Sequence, residues 1–227
     1  MEKPLKQITT KRKSSTKRNG PGRPEGQTNL RDKILDVGER HFAEVGYAGT
    51  SMRQVAVDAE VNTALISYYF SSKENLFREV FIRKGTQVAG ERMVALEKLR
   101  AEKALSVESL VRAFLTPPLL LRETQQGWAF LRLHARLHME PESLSYELRS
   151  RVYDESTHAF AAEFSTLLPQ RSLEQIYFDM SLMIGAYLYV SSDSNRLSQL
   201  VPDRKEQVEP QKHLDRMVEF ITKGMMS

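Results

Sequence analysis

The 227-residue sequence has no cysteine. That excludes disulfides, thiolate-held metals and cysteine nucleophiles. It also lacks a membrane-length apolar run. The longest, "LMIGAYLYV" at 182–190, falls far short of the ~20 residues that span a bilayer, and Asp179 and Asp193 bracket it. The basic N-terminus is followed by no apolar stretch, so no signal peptide is predicted. No alternating strand pattern and no repeat period is found. A nucleophile elbow, a phosphate loop and a zinc signature are likewise missing, and the scattered His and Glu form no constellation. The expectation is a non-enzyme with no cofactor and no membrane partner. A cysteine-free chain suits a reducing compartment, so the expected location is cytoplasmic.

What is present is unevenly distributed. The net charge is +4, yet residues 1–28 hold eight Lys/Arg against two acids, which leaves a slightly acidic body. Met1, Leu5 and Ile8 are the clearly apolar side chains of that arm. So little apolar surface does not offset the entropy of ordering, and residues 1–28 are predicted to be disordered. Lys and Arg release counterions from phosphates, so such an arm suggests a polyanionic partner. A merely solubilising tail is the other reading of the same charge.

From Asn29 the pattern is helical throughout. Leu30, Ile34, Leu35, Phe42 and Val45 recur at helical spacing, with Asn29 as N-cap, Gly46 as a stop and Gly38 as a mark of close packing. Thr50 or Ser51 caps a short second helix, whose inner face is Val55, Ala56 and Ala59. A turn at Glu60-Val61 leads to a third helix at 62–69. Ser71-x-x-Glu74 reads as a capping box that opens a fourth, stripe Leu76, Phe77, Val80 and Phe81, running to about 100 with Gly85 and Gly90 as weak points. Further helices are predicted at 106–122, 126–139, 143–168, 172–191 and 207–224. Pro117-Pro118 is expected to kink or break the first of these.

The stretch "VNTALISYYFSSKENLF" at 61–77 carries the functional signal. Two short helices joined by a tight turn at 51–69 fit a helix-turn-helix, whose second helix enters the major groove of double-stranded DNA. A groove-facing helix must be slim at its leading end, and Asn62, Thr63, Ala64 and Ser67 are small. Asn pairs with an adenine edge, and Thr or Ala meets a thymine methyl. Tyr68 and Tyr69 are placed to reach phosphates, with Phe70 turned inward. Lys73, Thr50, Ser51 and Arg53 complete the expected DNA-facing set at helix N-termini. A plain three-helix corner with core tyrosines is the alternative.

The order and spacing of "ILDVGERHFAEVGYAGTSMRQVA" and "AEVNTALISYYFSSKENLF" resemble the N-terminal domain of TetR-family transcriptional regulators over residues 30–81. The resemblance implies an all-α homodimer. Its N-terminal domain would bind a near-palindromic operator, and its C-terminal domain a small-molecule effector that releases DNA. On this basis the chain divides into an arm at 1–28, a DNA-binding domain at 29–75 and an effector and dimerisation domain at 76–227. The implied function is that of a ligand-responsive repressor. An architectural binder without effector, or an enzyme, are the rivals. The family commonly has Gly in the turn where this chain has Glu60, so a left-handed residue there is strained. "NGPGRPEGQ" at 19–27 resembles the Gly-Arg-Pro core of AT-hook-like arms, which makes Arg23 a candidate for a narrow minor groove.

In the C-terminal part, "GWAFLRLHARLHME" at 127–140 is apolar around most of its circumference, so a buried helix is expected. It carries Arg132, His134, Arg136 and His138, and buried polar groups need partners. His134 and His138 share a face at metal-pair spacing. With no clear third ligand, hydrogen-bonded histidines are preferred and no metal is expected. Trp128, Phe130, Tyr146, Tyr153, Phe160, Phe164 and Tyr177 are candidates to line an apolar pocket, or are simply core. The expected effector contacts are Trp128, Arg132, His134, Tyr146, Tyr153 and Tyr177, with Arg132 meeting a carboxylate if the ligand is an acid. The effector is expected to be hydrophobic or aromatic. Helix 172–191 has two apolar faces, as expected of a helix buried both in its own core and against a partner subunit.

Overall fold

Apolar residues at three- and four-residue spacing become helices along the whole chain. The computed structural model describes residues 25–192, 199–200 and 210–227. Among them there are nine α-helices and no strand. In chain order they are α1 (Glu25–Gly49), α2 (Met52–Asp58), α3 (Thr63–Phe70), α4 (Lys73–Ala101) and α5 (Val107–Leu121). Then come α6 (Gln125–Leu137), α7 (Glu142–Leu167), α8 (Leu173–Ser192) and α9 (Pro210–Met226). Arg23 and the basic residues around it lie outside the described residues.

Several local expectations shift. Helix α1 begins at Glu25, so Asn29 is inside it rather than at its cap, and 25–28 are helical rather than disordered. Leu30 and Val45 are exposed, and the buried stripe of α1 is Ile34, Leu35, Val37, Phe42 and Ala43. Gly46 breaks the helical path with φ 75°, a conformation glycine adopts without steric cost, and the chain turns once more before ending at Gly49. The cap of α4 is Ser72, which accepts from Asn75 N–H at 3.1 Å, not Ser71. Ser71 is instead the C-cap of α3, held at φ 60°. Helix α4 passes through Gly85 without weakening. A Cβ there would lie 2.7 Å from Val152, so the glycine permits close approach of α7.

Pro117 and Pro118 do not break α5. Proline at 118 removes the N–H that would reach the Phe114 carbonyl four residues back. That carbonyl is satisfied from another helix: Arg92 Nε donates to it at 2.9 Å. Both prolines are buried, so the helix is held from outside where its own ladder is interrupted.

Packing forms two apolar clusters. One joins the faces of α1–α4 (Phe42, Val55, Ile66, Phe70, Phe77) to Phe130, Leu133 and Leu137 of α6 and to Leu148 and Tyr153 of α7. The second gathers Leu96, α5, Phe160 and Phe164 of α7, and the inner faces of α8 and α9. Helix α4 contributes to both and so connects the two ends of the molecule.

Candidate nucleic-acid interface and ligand cavity

Helix α3 is anchored from behind. Ile66 and Phe70 are fully buried against α1 and α4, while Asn62, Thr63, Ala64 and Ser67 are exposed on the opposite side. The leading end of the helix is therefore slim and polar, and its back is sealed. The turn before it needs a left-handed residue, and Glu60 takes φ 55°. Its carboxylate pairs with Lys33 of α1, which holds the side chain in place.

The candidate DNA contacts separate into two groups. Ser51, Arg53, Thr63, Ala64, Ser67 and Tyr68 are exposed, with Tyr68 at 76% and Tyr69 partly tucked beside it, ring centroids 5.4 Å apart. Thr50 is different. It is buried, and its hydroxyl donates to the Gly46 carbonyl at 2.7 Å, so that group serves the α1–α2 connection rather than the surface. Asn62 is the N-cap of α3, and its Oδ1 accepts from Leu65 N–H at 2.7 Å. A bidentate contact to adenine would need that oxygen. Lys73 Nζ donates to the carbonyls of Thr50 (2.9 Å) and Ala48 (3.3 Å) and lies over the Tyr47 ring. It braces the connector at the start of α2.

A cavity of about 600 Å³ opens between α4, α6, α7 and α8. Of the expected ligand contacts it includes His134 and Tyr153. The other four are elsewhere. Arg132 packs over the Trp128 ring at 4.7 Å, a mutual contact on the outer face of α6. Tyr146 is exposed beneath Arg149. Tyr177 shares a 2.7 Å hydrogen bond with His158. Phe130, Phe160 and Phe164 are core. The cation that lines the cavity is Arg92 of α4, joined by Tyr187 and Arg149. Arg92 was legible in one respect: with Gly85, Val88, Ala89 and Leu96 it keeps the buried phase of α4.

The cavity is polar where it is deepest. Arg92 is 2% exposed, and its Nη2 has no hydrogen-bond partner. The guanidinium lies 3.6 Å from the Phe114 ring centre, and no carboxylate among the described residues pairs with it. The Tyr153 hydroxyl is also buried without a partner. His134 stacks on the Tyr153 ring at 5.0 Å, and its Nδ1 is 3.4 Å from the Tyr187 hydroxyl. Burial, then the neighbouring charges of His138, Arg92 and Arg149, holds the His134 pKa well below its ordinary 6.5, so the ring is neutral at pH 7. Burial raises Tyr153 and Tyr187 and keeps both phenols protonated. His134 and His138 stack at 5.9 Å, and no group of three potential metal-binding His, Asp or Glu side chains is present among the described residues.

Helix α6 also grips the far end of α1. Arg136 Nη2 donates to the Glu44 carbonyl at 2.9 Å, and Tyr47 N–H donates to Glu140 at 3.2 Å. On α8, Ile176, Met180, Met183 and Tyr187 are buried, while Phe178, Leu182 and Tyr189 are exposed. Phe220 of α9 is exposed as well. No described helix is long and apolar enough to cross a membrane.

Comparison with known proteins agrees with this geometry. The family model for bacterial regulatory proteins of the tetR family matches residues 34–80. A second, described as tetracyclin repressor-like, C-terminal domain, matches 112–224. A probable HTH-type transcriptional regulator of Bacillus subtilis, YttP, is 39% identical over 54 residues, 24% of this chain and 26% of that protein. The HTH-type transcriptional regulator QacR of Staphylococcus aureus is 38% identical over 52 residues, 23% of this chain and 28% of its own length. These matches span about a quarter of each relative. The fold extends further. A TetR-like regulator from Rhodococcus sp. RHA1 superposes with a TM-score of 0.63 at 19% identity, covering 87% of this chain and 96% of that one. The hemolysin II regulator HlyIIR gives 0.57 at 20%, covering 86% and 98%. With an N-terminal helix-turn-helix, an all-α body and family matches to both, the chain belongs to the TetR family of transcriptional regulators.

Proposed function

We propose that the chain is a homodimeric, ligand-responsive repressor that binds a two-fold operator and releases it when a small hydrophobic or aromatic molecule fills the cavity. The observation that carries the DNA half is α3: small polar residues exposed along its leading edge, Ile66 and Phe70 sealed behind it. Thr63, Ala64 and Ser67 read bases, and Arg53, Ser51, Tyr68 and Tyr69 contact phosphates. Asn62 caps the helix and keeps its amide N–H group for DNA, and Thr50 supports the connector from inside.

The division into an arm at 1–28, a DNA-binding domain at 29–75 and an effector and dimerisation domain at 76–227 is part of the same reading. Exposed Phe178, Leu182, Tyr189 and Phe220 on α8 and α9 support a dimer through those helices. Two reading helices about one DNA turn apart then demand operator symmetry. Ligand in the cavity favours a separation of the two heads that misfits successive grooves, with α4 and the α6 grip on α1 as the links. A regulator of this kind works beside the chromosome, in the cytoplasm.

The test is a titration of the purified protein against its own promoter fragment and a scrambled duplex of equal length. Tight binding to the first alone is expected, and equal binding to both would favour the architectural alternative. Removing residues 1–24, the part of the arm that precedes α1 and carries Arg23, is expected to weaken binding and flatten its salt dependence, because each lost phosphate contact lowers the slope by about 0.9. An unchanged slope would remove the arm from the interface.

A further inference from the structure

The proposed function leaves the chemistry of the effector open beyond its apolar character, and the cavity supplies more. A guanidinium is rarely buried unless a carboxylate or a phosphate pairs with it, because a desolvated charge is costly. Arg92 is buried and lines the cavity, yet its protein partners are neutral: Nε donates to the Phe114 carbonyl, and the Tyr187 hydroxyl is a second oxygen beside the guanidinium. Its Nη2 has no partner. Aromatic faces surround the group: Phe114 at 3.6 Å, with Tyr153 and Tyr187 each at 5.7 Å. These weaken the desolvation cost of the cation but supply no anion.

The charged groups facing the cavity leave the cation uncompensated. Asp154 is the acid in the lining, and it accepts from Ser150 at 2.6 Å on the solvent side of α7. Arg149 adds a second cation, hydrogen-bonded to the Ser145 carbonyl and beside His138. Ile184 and Leu188 of α8 and Ala135 of α6 supply apolar wall, and Thr157, Ser181 and Ser192 add neutral hydroxyls.

We infer that the effector is an organic acid, a carboxylate on a mostly apolar frame, with the carboxylate on Arg92 and the frame against α6 and α8. The inference rests on the ligand-responsive reading and narrows it. Arg92 is suited to the task in two ways. Its Nε bond to Phe114 fixes the orientation of the guanidinium, so little rotamer freedom is lost on binding. The unpartnered Nη2 is a buried donor whose desolvation has already occurred in the folded protein. The buried Tyr153 hydroxyl, also without a partner, and the Tyr187 hydroxyl are neutral donors in the same cavity wall.

The experiment compares acids with their uncharged amides on the intact wild-type protein by isothermal titration calorimetry. The probes are naphthalene-1-acetate against naphthalene-1-acetamide, and decanoate against decanamide. Each pair has one shape and differs in charge. Charge-assisted hydrogen bonds predict that the acid of at least one pair binds about tenfold to a hundredfold more tightly than its amide. Arg92→Gln keeps an N–H for the Phe114 carbonyl and removes the charge, so the acid-to-amide ratio should fall to near one. Arg92→Lys should keep part of it. If Arg92→Gln does not fold, the wild-type ratios decide alone. Amides that bind as tightly as their acids overturn the carboxylate assignment and leave a ligand-binding cavity standing. A preference for acid that survives Arg92→Gln overturns the role of Arg92. If neither acids nor amides bind below 1 mM, the organic-acid inference is overturned, and the failure extends to the effector reading itself if none releases the promoter fragment.

Discussion

The DNA-facing head and the ligand cavity each bury one charged side chain, and they treat it differently. In the head, Glu39 is 2% exposed and lies 3.1 Å from Arg83, which also reaches Asp36 at 2.7 Å. In the cavity, Arg92 is buried to the same extent and meets no acid among the described residues. The first has an opposite charge beside it, although Glu39 Oε1 and Arg83 Nε are themselves buried without hydrogen-bond partners. The second is an interaction with one side missing. A head that must present the same surface to every operator benefits from a buried charge that is balanced from within the chain. A cavity that must respond to a visitor carries an unsatisfied group, and its folded state is less stable for it.

The largest test of that contrast is Arg83→Met. It strands Glu39, so a loss of about 2 kcal/mol is expected at pH 7 by urea unfolding, less than a fully buried pair because Arg83 is partly exposed. Burial already raises the Glu39 pKa above its ordinary 4.5, against the opposing effect of Arg83. The deficit should therefore shrink on acidification, as the carboxyl takes up a proton. Arg92→Gln makes the reverse prediction. Removing an unpaired buried cation while keeping a donor to Phe114 should leave stability unchanged or raise it by about 1 kcal/mol. A large loss would show that Arg92 is structural and not unsatisfied.

Acidification separates the two regions without mutation. His134 has a depressed pKa, so its contribution to stability is present above 6.5 and is lost as the pH falls below it. Glu39 has a raised pKa, so its contribution is fully present below 4.5 and is lost as the pH rises through its folded value. Between pH 7 and 5 the cavity helices should lose hydrogen-exchange protection relative to α1, after correction for intrinsic rates. Equal loss in both regions would contradict the assignment. The smallest effect expected is Thr63→Ala: a change of roughly 1 kcal/mol in preference at one base pair, with no change in unfolding. A uniform weakening across operator variants would move Thr63 from base to backbone contact.

The two regions also differ in how far the sequence disclosed them. The head was readable because its parts are local. The cap at Ser51, the turn at Glu60 and the anchor Phe70 lie within twenty residues, and Glu60 takes the left-handed φ of 55°, while Asn62, expected at a base edge, caps α3 instead. Its errors were short-range as well. Two adjacent serines offer the same cap, and Ser71 goes to the end of α3 while Ser72 takes the start of α4. The cavity draws on four helices, from Arg92 to Ser192, and side-chain direction on α6 separates His134 from Arg132. Arg132 was the natural choice because it sits in an apolar segment. Arg92 keeps the buried phase of α4, but a charged side chain beside Glu91 names no partner until the carbonyl freed by Pro118 is seen to supply one.

Helix α3 is bounded at both ends by left-handed residues that are not glycine, Glu60 at φ 55° and Ser71 at φ 60°. Such corners persist where their surroundings over-determine them. Neither joint therefore offers a compliant swivel, and α2, α3 and the first turn of α4 form a single stiff block. Whatever adjusts the protein's grip on its operator has to carry that block whole.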